Sequence, residues 1–498
     1  MITRRRLIAG GALAVTGAAI YGTASQRRSS SISERSRGRA LKMPPLIDAV
    51  ETGRFDLSAQ SGSTHFGDGN STRTIGFNQS YLGPVVRIAN GALQPRVSNR
   101  LSWPVSSHWH GLVVPGEHDG GPHLPISPGT SWAPEMLIAQ DPCTAFFHTH
   151  IHGRTAQDVY AGLAGAIHVV DNRDHQRGLP STYGVDDLTL ILQDRRLSPD
   201  GQLIYANSMM DIMHGMTGET MVINGQVGAT AVVPKSIVRL RLVNASNARI
   251  FSLFMSDTRH MHLVATDGGY LARPVAIDKL RLGSGERAEI LVDFSSGSQV
   301  SLMSESDPNA GMGGMMGRLR GMFDDLTRSG RFEVLAFDID ERLEALVDRI
   351  PDAISEEPTN LQETEIANTR RFSLDMGMGS EMMSGSGMMG RFAINGRAFD
   401  MATINERIQL GSTEKWIVET NMLAHPFHVH GVSFQVISEN GRGPRPESKG
   451  WKDTVVVDGE TELLIRFTQP AGEATPFMYH CHILEHEDGG MMGQFTVN

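Results

Sequence analysis

Close to the C-terminus the chain reads His480-Cys481-His482-Ile483-Leu484-Glu485-His486-Glu487-Asp488-Gly489-Gly490-Met491. A thiolate, an imidazole five residues on and a thioether ten residues on are the ligands of a blue, electron-transferring copper, with methionine as the weak axial partner. If this segment is a strand, neighbouring side chains point to opposite faces and residues two apart share one. Cys481 would then hold one metal on one face, while His480 and His482 hold others behind it. Bonded atoms would connect the two faces.

Working outward, His-x-His pairs recur at 108/110, 148/150, 150/152, 428/430 and 480/482. With 19 histidines in 498 residues, random placement gives roughly one such pair. A lone histidine is more often a core or surface residue than a ligand, but pairs in register with a Cys and a Met are not explained that way. Structural zinc is a poor fit, because it takes a closed set of four ligands and here many more imidazoles are on offer. Of the two cysteines, Cys481 is better placed as a ligand. Cys143 is then a lone buried thiol, the alternative being a disulfide between the two.

A chain of 498 residues predicts two to four domains of about 100–200 residues each. Hydrophobic residues at 40% and charged ones at 20% are ordinary for a folded soluble protein. A net charge of −10 argues against nucleic acid, which needs clustered Lys and Arg. Thr3-Arg4-Arg5-Arg6 opens a basic region before an apolar stretch from Leu7 to Ile20. That stretch is too short for an ordinary membrane span but fits the core of a secretory signal. Its arginine pair resembles the bacterial twin-arginine (Tat) signal, which predicts export of a folded protein to the periplasm. No other segment reads as membrane-spanning.

From about Met43 the sequence alternates in short runs broken by Gly, Pro, Asn and Ser. Val85–Ile88, Ala166–Val170, Leu188–Leu192, Ile237–Val243, Ala288–Val292 and Glu462–Phe467 are examples. Many short strands at regular spacing predict an all-β chain of sandwich or barrel domains. The acidic stretch Asp338–Asn368, with Pro351 and Pro358, reads as a linker with some helix. The expected division is 1–42 signal and flexible segment, 43–175, 176–340, linker 341–368, and 369–498. The middle domain carries no histidine cluster, so a structural or spacing role is expected for it. Two Met/Gly stretches, Met303–Met322 and Met376–Met389, lack a helical apolar stripe. They read as soft thioether sites for Cu(I) or as loops in which flexible Met fills gaps.

Taken in order, His108-Trp109-His110-Gly111, His148-Thr149-His150, His425-Pro426-Phe427-His428-Val429-His430-Gly431 and the segment from His480 to Met491 resemble the multicopper oxidase family. The resemblance spans essentially the whole mature chain. It implies three cupredoxin-like domains of Greek-key β-sandwich or barrel type, and four copper ions, one type 1, one type 2 and two type 3. By the same resemblance, His425, Cys481 and His486, with Met491 axial, would hold type 1 copper. His108 and His428 would hold type 2, and His110, His148, His150, His430, His480 and His482 the type 3 pair. Asp119 and Glu487 match acidic residues on the family's proton route. The implied activity couples four one-electron oxidations at type 1 to reduction of O2 to water, with electrons leaving Cys481 through His480 and His482. A monomer is expected.

Within the family the likeness is to bacterial periplasmic copper-efflux (cuprous) oxidases and bacterial laccases. It is carried by Gly450-Trp451-Lys452-Asp453-Thr454, by Ile394–Met401 and by Leu484–Asp488. Oxidation of Cu(I) in copper tolerance is the first expectation, with Met376, Met378, Met382, Met383, Met388, Met389 and Met422 as candidate substrate ligands. A laccase-like oxidase of phenolic or other aromatic donors, or of Mn(II), is the alternative, and a non-enzymatic cell-envelope scaffold a remote one. Two departures stand just before His425: Asn421 lacks a charge and Leu423 lacks a sulfur where those oxidases tend to place an Asp and Mets.

Overall fold

A computed structural model of the protein describes residues 39–66, 70–206, 208–307, 330–344, 346–356, 360–376 and 392–498. Its sheets fall into three consecutive stretches of chain. Within 46–170 lie a four-stranded sheet, ordered Leu46–Asp48, Val85–Ala89, Ala164–Val170, Cys143–His148, and a five-stranded one built on Arg54–Thr64 and Gly91–Asn99. Within 187–339 lie sheets of six and five strands, and within 366–497 two of five strands. The chain is thus all-β with three sandwich domains, as the strand spacing predicts. Among the described residues no helix is long and apolar enough to cross a membrane.

Burial follows position in these layers. Arg54–Thr64 begins with a clean exposed/buried alternation, the pattern of a strand with one face in a core and one in water. Cys143–His148, Ile237–Asn244 and Phe477–Cys481 are buried at every residue. Their second faces are covered by neighbouring domains. Phe146 of the first domain packs in one cluster with Ile191, Val222 and Val243 of the second and Leu484 of the third. Each such side chain contributes about 1.5–3 kcal/mol by leaving water. The surfaces between domains are therefore buried, which lowers the local dielectric of what lies there.

Between Asp340 and Ile366 the described residues hold turns and one 3-10 turn at Glu363–Glu365. The helix expected there is reduced, among the described residues, to that single turn: Pro351 interrupts the stretch, and Val347, Ile350 and Ile354 pack against the second-domain cluster without one. Cys143 and Cys481 are both buried and free. Burial pushes the Cys143 thiol up to about 12, so it stays protonated and unreactive.

Candidate metal centre

The strand His425–Val429 runs antiparallel to Phe477–Cys481, with Phe427 opposite Cys481 and His428 opposite His480. Directly paired residues share a face. His425, two residues from Phe427, therefore points with Cys481 to one side, while His428, His430 and His480 point to the other. In the first domain, His108 and His148 form a bridge, bringing His108 and His110 alongside His148 and His150. These two ribbons face each other across the cleft between the first and third domains.

On the Cys481 side, His425 Nδ1 lies 3.3 Å from Cys481 Sγ, His486 Nδ1 3.7 Å from Sγ, and the two nitrogens 3.4 Å apart. All three residues are buried, as is Met491. The Cys481 N–H donates to the Met491 carbonyl at 3.1 Å, holding the methionine beside the cysteine. Burial pushes the Cys481 thiol above its ordinary range, so a thiolate here needs a bound cation to compensate it. His486 is packed against the Phe392 ring, stacked at 4.4 Å, and its Nε2 lies 3.2 Å from the Met213 carbonyl.

On the other side, eight imidazoles converge. Imidazole nitrogens about 2.0–2.1 Å from one small metal ion sit roughly 3.3 Å from each other at tetrahedral angles. The observed Nε2–Nε2 separations are 3.4 Å for His108–His428, 3.3 Å for His150–His480 and 3.1 Å for His430–His480. His110 Nδ1, His148 Nε2 and His482 Nε2 are buried without any partner, and their rings are 5.0–5.7 Å apart. Unpaired nitrogens buried at this cost fit a metal better than they fit a polar core.

Most of the ring nitrogens that face the protein are fixed by a partner. Asp119 Oδ2 lies 2.8 Å from His430 Nδ1, and the Asp119 carbonyl 3.0 Å from His108 Nδ1. His480 Nδ1 lies 3.1 Å from the Cys481 carbonyl, and Glu487 stands beside it at 3.2 Å and beside His150 Nδ1 at 3.5 Å without a hydrogen bond to either. Asp453 Oδ1 meets His110 Nε2 at 3.0 Å, and its carbonyl meets His428 Nδ1 at 2.9 Å. Asp119 and Asp453 thus each tie one imidazole of the first domain to one of the third, and Glu487 stands against one of each. Such partners set tautomer and ring orientation, and their loss typically costs 10–100-fold in metal affinity. Asp119→Asn is expected to weaken copper binding at the histidine cluster by about that factor while leaving the Cys481 side loaded. Copper titration followed by the visible and electron paramagnetic resonance signals of the two sides measures it; equal loss on both sides would argue against an orienting role.

Burial, reinforced by neighbouring imidazoles, pushes His110, His148, His150, His430, His480 and His482 well below the ordinary imidazole value. Burial alone takes His425 to about 3. These rings are neutral at physiological pH, with lone pairs free to ligate. Burial also raises Glu487 well above the carboxylate range and Glu485 and Asp488 to about 7.

All twelve residues expected to hold metal fall in these two groups, and Asp119 and Glu487 lie against the imidazoles. Of the candidate Mets, Met376 is buried in the third-domain core and Met422 is partly exposed; Met378, Met382, Met383, Met388 and Met389 lie outside the described residues. Sequence reasoning missed Asp453, Thr454, Ser284 and Arg287, and also the helix Met209–Met213, whose last carbonyl caps His486. The Met209, Met210, Met213, Met216 run was the available signal for that helix. A further His-x-His pair, His260/His262, has no part in the centre: His260 is exposed and pairs with Asp278. The spacing alone is thus no ligand signature.

Three domain models described as multicopper oxidase match residues 58–174, 194–310 and 371–498. Cell division protein FtsP of Xenorhabdus nematophila is 37% identical over 93% of each chain, and that of Escherichia coli 36% over 92% of each. A solved structure of the laccase-like multi-copper oxidase CueO from Ochrobactrum sp., described as having oxidase activity towards lignin model compounds, is 39% identical. It covers 92% of this chain and 100% of its own, with TM-score 0.83.

The FtsP relatives correct the expectation of an oxidase working in copper tolerance or on laccase-type donors: they match nearly end to end and are named for cell division. The physical reason is that the motifs report which atoms can hold copper and are silent on what the folded chain is used for. Just before His425, Leu423 is buried in the core and Asn421 is exposed and uncharged. What the paired sheets, the cysteine-and-histidine centre and three successive domain matches establish together is that this chain belongs to the multicopper oxidase family.

Proposed function

We propose that the chain serves in bacterial cell division at the cell envelope, and that it does so as a copper-holding protein. The division role rests on likeness to FtsP over 93% of both chains. Export to the periplasm rests on the basic and apolar N-terminal segment, Thr3 to Ile20. O2 and a small electron donor are the ligands this family's centre implies, and no stable partner chain is required for the centre.

For copper the assignment is His425, Cys481 and His486 with Met491 axial at type 1, and His108 with His428 at type 2. His110, His148 and His482 would form one half of the type 3 pair, and His150, His430 and His480 the other. That is about four coppers per chain. Bound copper supplies one-electron redox chemistry at a buried site. The chain's own residues supply neutral imidazoles, orienting carboxylates and a cleft closed to water. Because each ligand group on the histidine side draws on two domains, loading also fastens the first domain to the third, and metal binding energy becomes folding energy. Asp119 and Glu487, buried against the imidazoles, are assigned the handling of protons there.

The test is deletion of the gene in its own host, with return of the wild type, of Cys481→Ser and of His108→Ala/His428→Ala. Deleted cells are expected to lengthen, and the wild type to restore normal length. A copper requirement predicts that the double histidine variant restores division poorly. Deleted cells that divide normally under every envelope stress applied would overturn the division role.

A second reading, favoured by the absence of any gap in the ligand set, is that the chain is an oxidoreductase with O2 as acceptor. The related Ochrobactrum enzyme is 39% identical. Oxygen uptake by copper-loaded protein with a chemical reductant, set against Cys481→Ser, decides it; equal rates would end this reading.

A further inference from the structure

His110 differs from the other imidazoles of the cluster. The rest turn Nδ1 towards the protein: towards Asp119 for His108 and His430, Thr149 O for His148, Glu487 for His150, Cys481 O for His480, Asp453 O for His428, and Ser284 for His482. His110 instead turns Nε2 inward, 3.0 Å from both Asp453 Oδ1 and Thr454 Oγ1, and leaves Nδ1 unpartnered. This orientation depends on a carboxylate that is itself buried. An isolated buried charge is costly unless paired and hydrogen-bonded.

The pairing comes from the domain that carries no cluster histidine. Arg287, on the second-domain strand Arg287–Asp293, grips Asp453 through two bonds, Nη1–Oδ1 at 2.6 Å and Nη2–Oδ2 at 2.5 Å. Its remaining N–H groups donate to Thr144 O at 3.1 Å, Gly285 O at 3.1 Å and Asp267 O at 3.2 Å. Five donors thus meet five acceptors, in the fixed fork that only a guanidinium offers. Gly111 leaves the space for it: a Cβ there would lie 2.4 Å from Arg287 Nη2. The same second-domain segment brings Ser284 Oγ to 3.2 Å from His482 Nδ1. It also presents Gly285, whose Cβ would fall 2.7 Å from the His482 ring.

We propose that Arg287 is a positioning residue of the copper cluster: from the second domain it fixes Asp453, and through Asp453 it holds His110 as an Nδ1 ligand. This rests on the reading that the histidine cluster holds copper. The middle domain is then not a spacer but a third wall of the centre.

Arg287→Met and Arg287→Lys in the full chain test it, with the blue colour of the Cys481 side as an internal control, since the hydrogen bonds of Arg287 go to Thr144, Gly285, Asp267 and Asp453 and not to that side. Expected are a ten- to hundredfold weaker hold on copper at the histidine cluster and altered electron paramagnetic resonance of type 2 copper, with blue intensity retained. Folded variants with wild-type copper content and wild-type resonance would overturn the proposal. Should Arg287→Met lose both sides together, Arg287→Met/Asp453→Asn removes the stranded charge. A folded double variant with an unaltered cluster overturns the proposal, and one with only the cluster perturbed supports it. A wild type that is blue yet shows no cluster signal would refute the copper reading itself, and this inference with it.

Discussion

Cys481→Ser is expected to give a folded chain that has lost its blue colour completely and one of about four coppers, with the copper at the histidine cluster retained. The colour depends on a thiolate, and a hydroxyl is a hard donor that does not replace it. Cys143, the other cysteine, is 1% exposed and hydrogen-bonded by Gln140, so it offers no substitute. The cluster should survive because the strand geometry separates the two sides: Cys481 faces with His425, and His480 faces with His428. Absorption and copper analysis on the same sample measure both effects. Persisting colour would remove Cys481 from the site, and loss of all copper would mean that the two sides load as one unit.

Acid should act strongly on the copper-free chain. His110, His148, His150, His425, His428, His430, His480 and His482 all have lowered proton affinity in the fold, chiefly through burial. Unfolded, they would bind protons near the ordinary imidazole value of about 6.5. Below that value the unfolded state holds more protons, so their contribution to stability is present above about pH 6.5 and is lost as pH falls. Glu485, Glu487 and Asp488 act in the opposite sense. Their raised values favour the fold in acid and oppose it as pH climbs towards about 7. The imidazoles outnumber these acids, and each imidazole in excess changes stability by up to about 1.4 kcal/mol per pH unit. Against a total of about 5–15 kcal/mol, the copper-free chain is expected to open within roughly one to two pH units below 6.5. Bound copper occupies the same lone pairs, so the loaded chain should hold to lower pH. Urea midpoints across this range, with and without copper, measure the effect; a copper-free midpoint that is flat between about pH 7.5 and 5 would contradict it.

Much of this centre was legible because it obeys local periodicity. Two residues on a strand share a face, so His480 and His482 had to stand opposite Cys481, and the His425–Val429 strand repeats the rule. Asp453, Thr454, Ser284 and Arg287 follow no such rule. Asp453 and His110 are 343 residues apart and Arg287 and Asp453 are 166 apart, joined only by packing of domains. The second domain looked like a spacer because it contributes carbonyls, a guanidinium and a missing side chain at Gly285 rather than ligands. Biological purpose, however, is selected on surfaces and partners that copper ligands do not encode.

A chain related to division proteins brings together the residues of a complete multicopper ligand set. The most direct test is the copper content and colour of wild-type protein purified after folding in the presence of copper. A blue protein with about four coppers per chain is the predicted result. A well-folded chain that stays colourless with copper in excess would contradict the account.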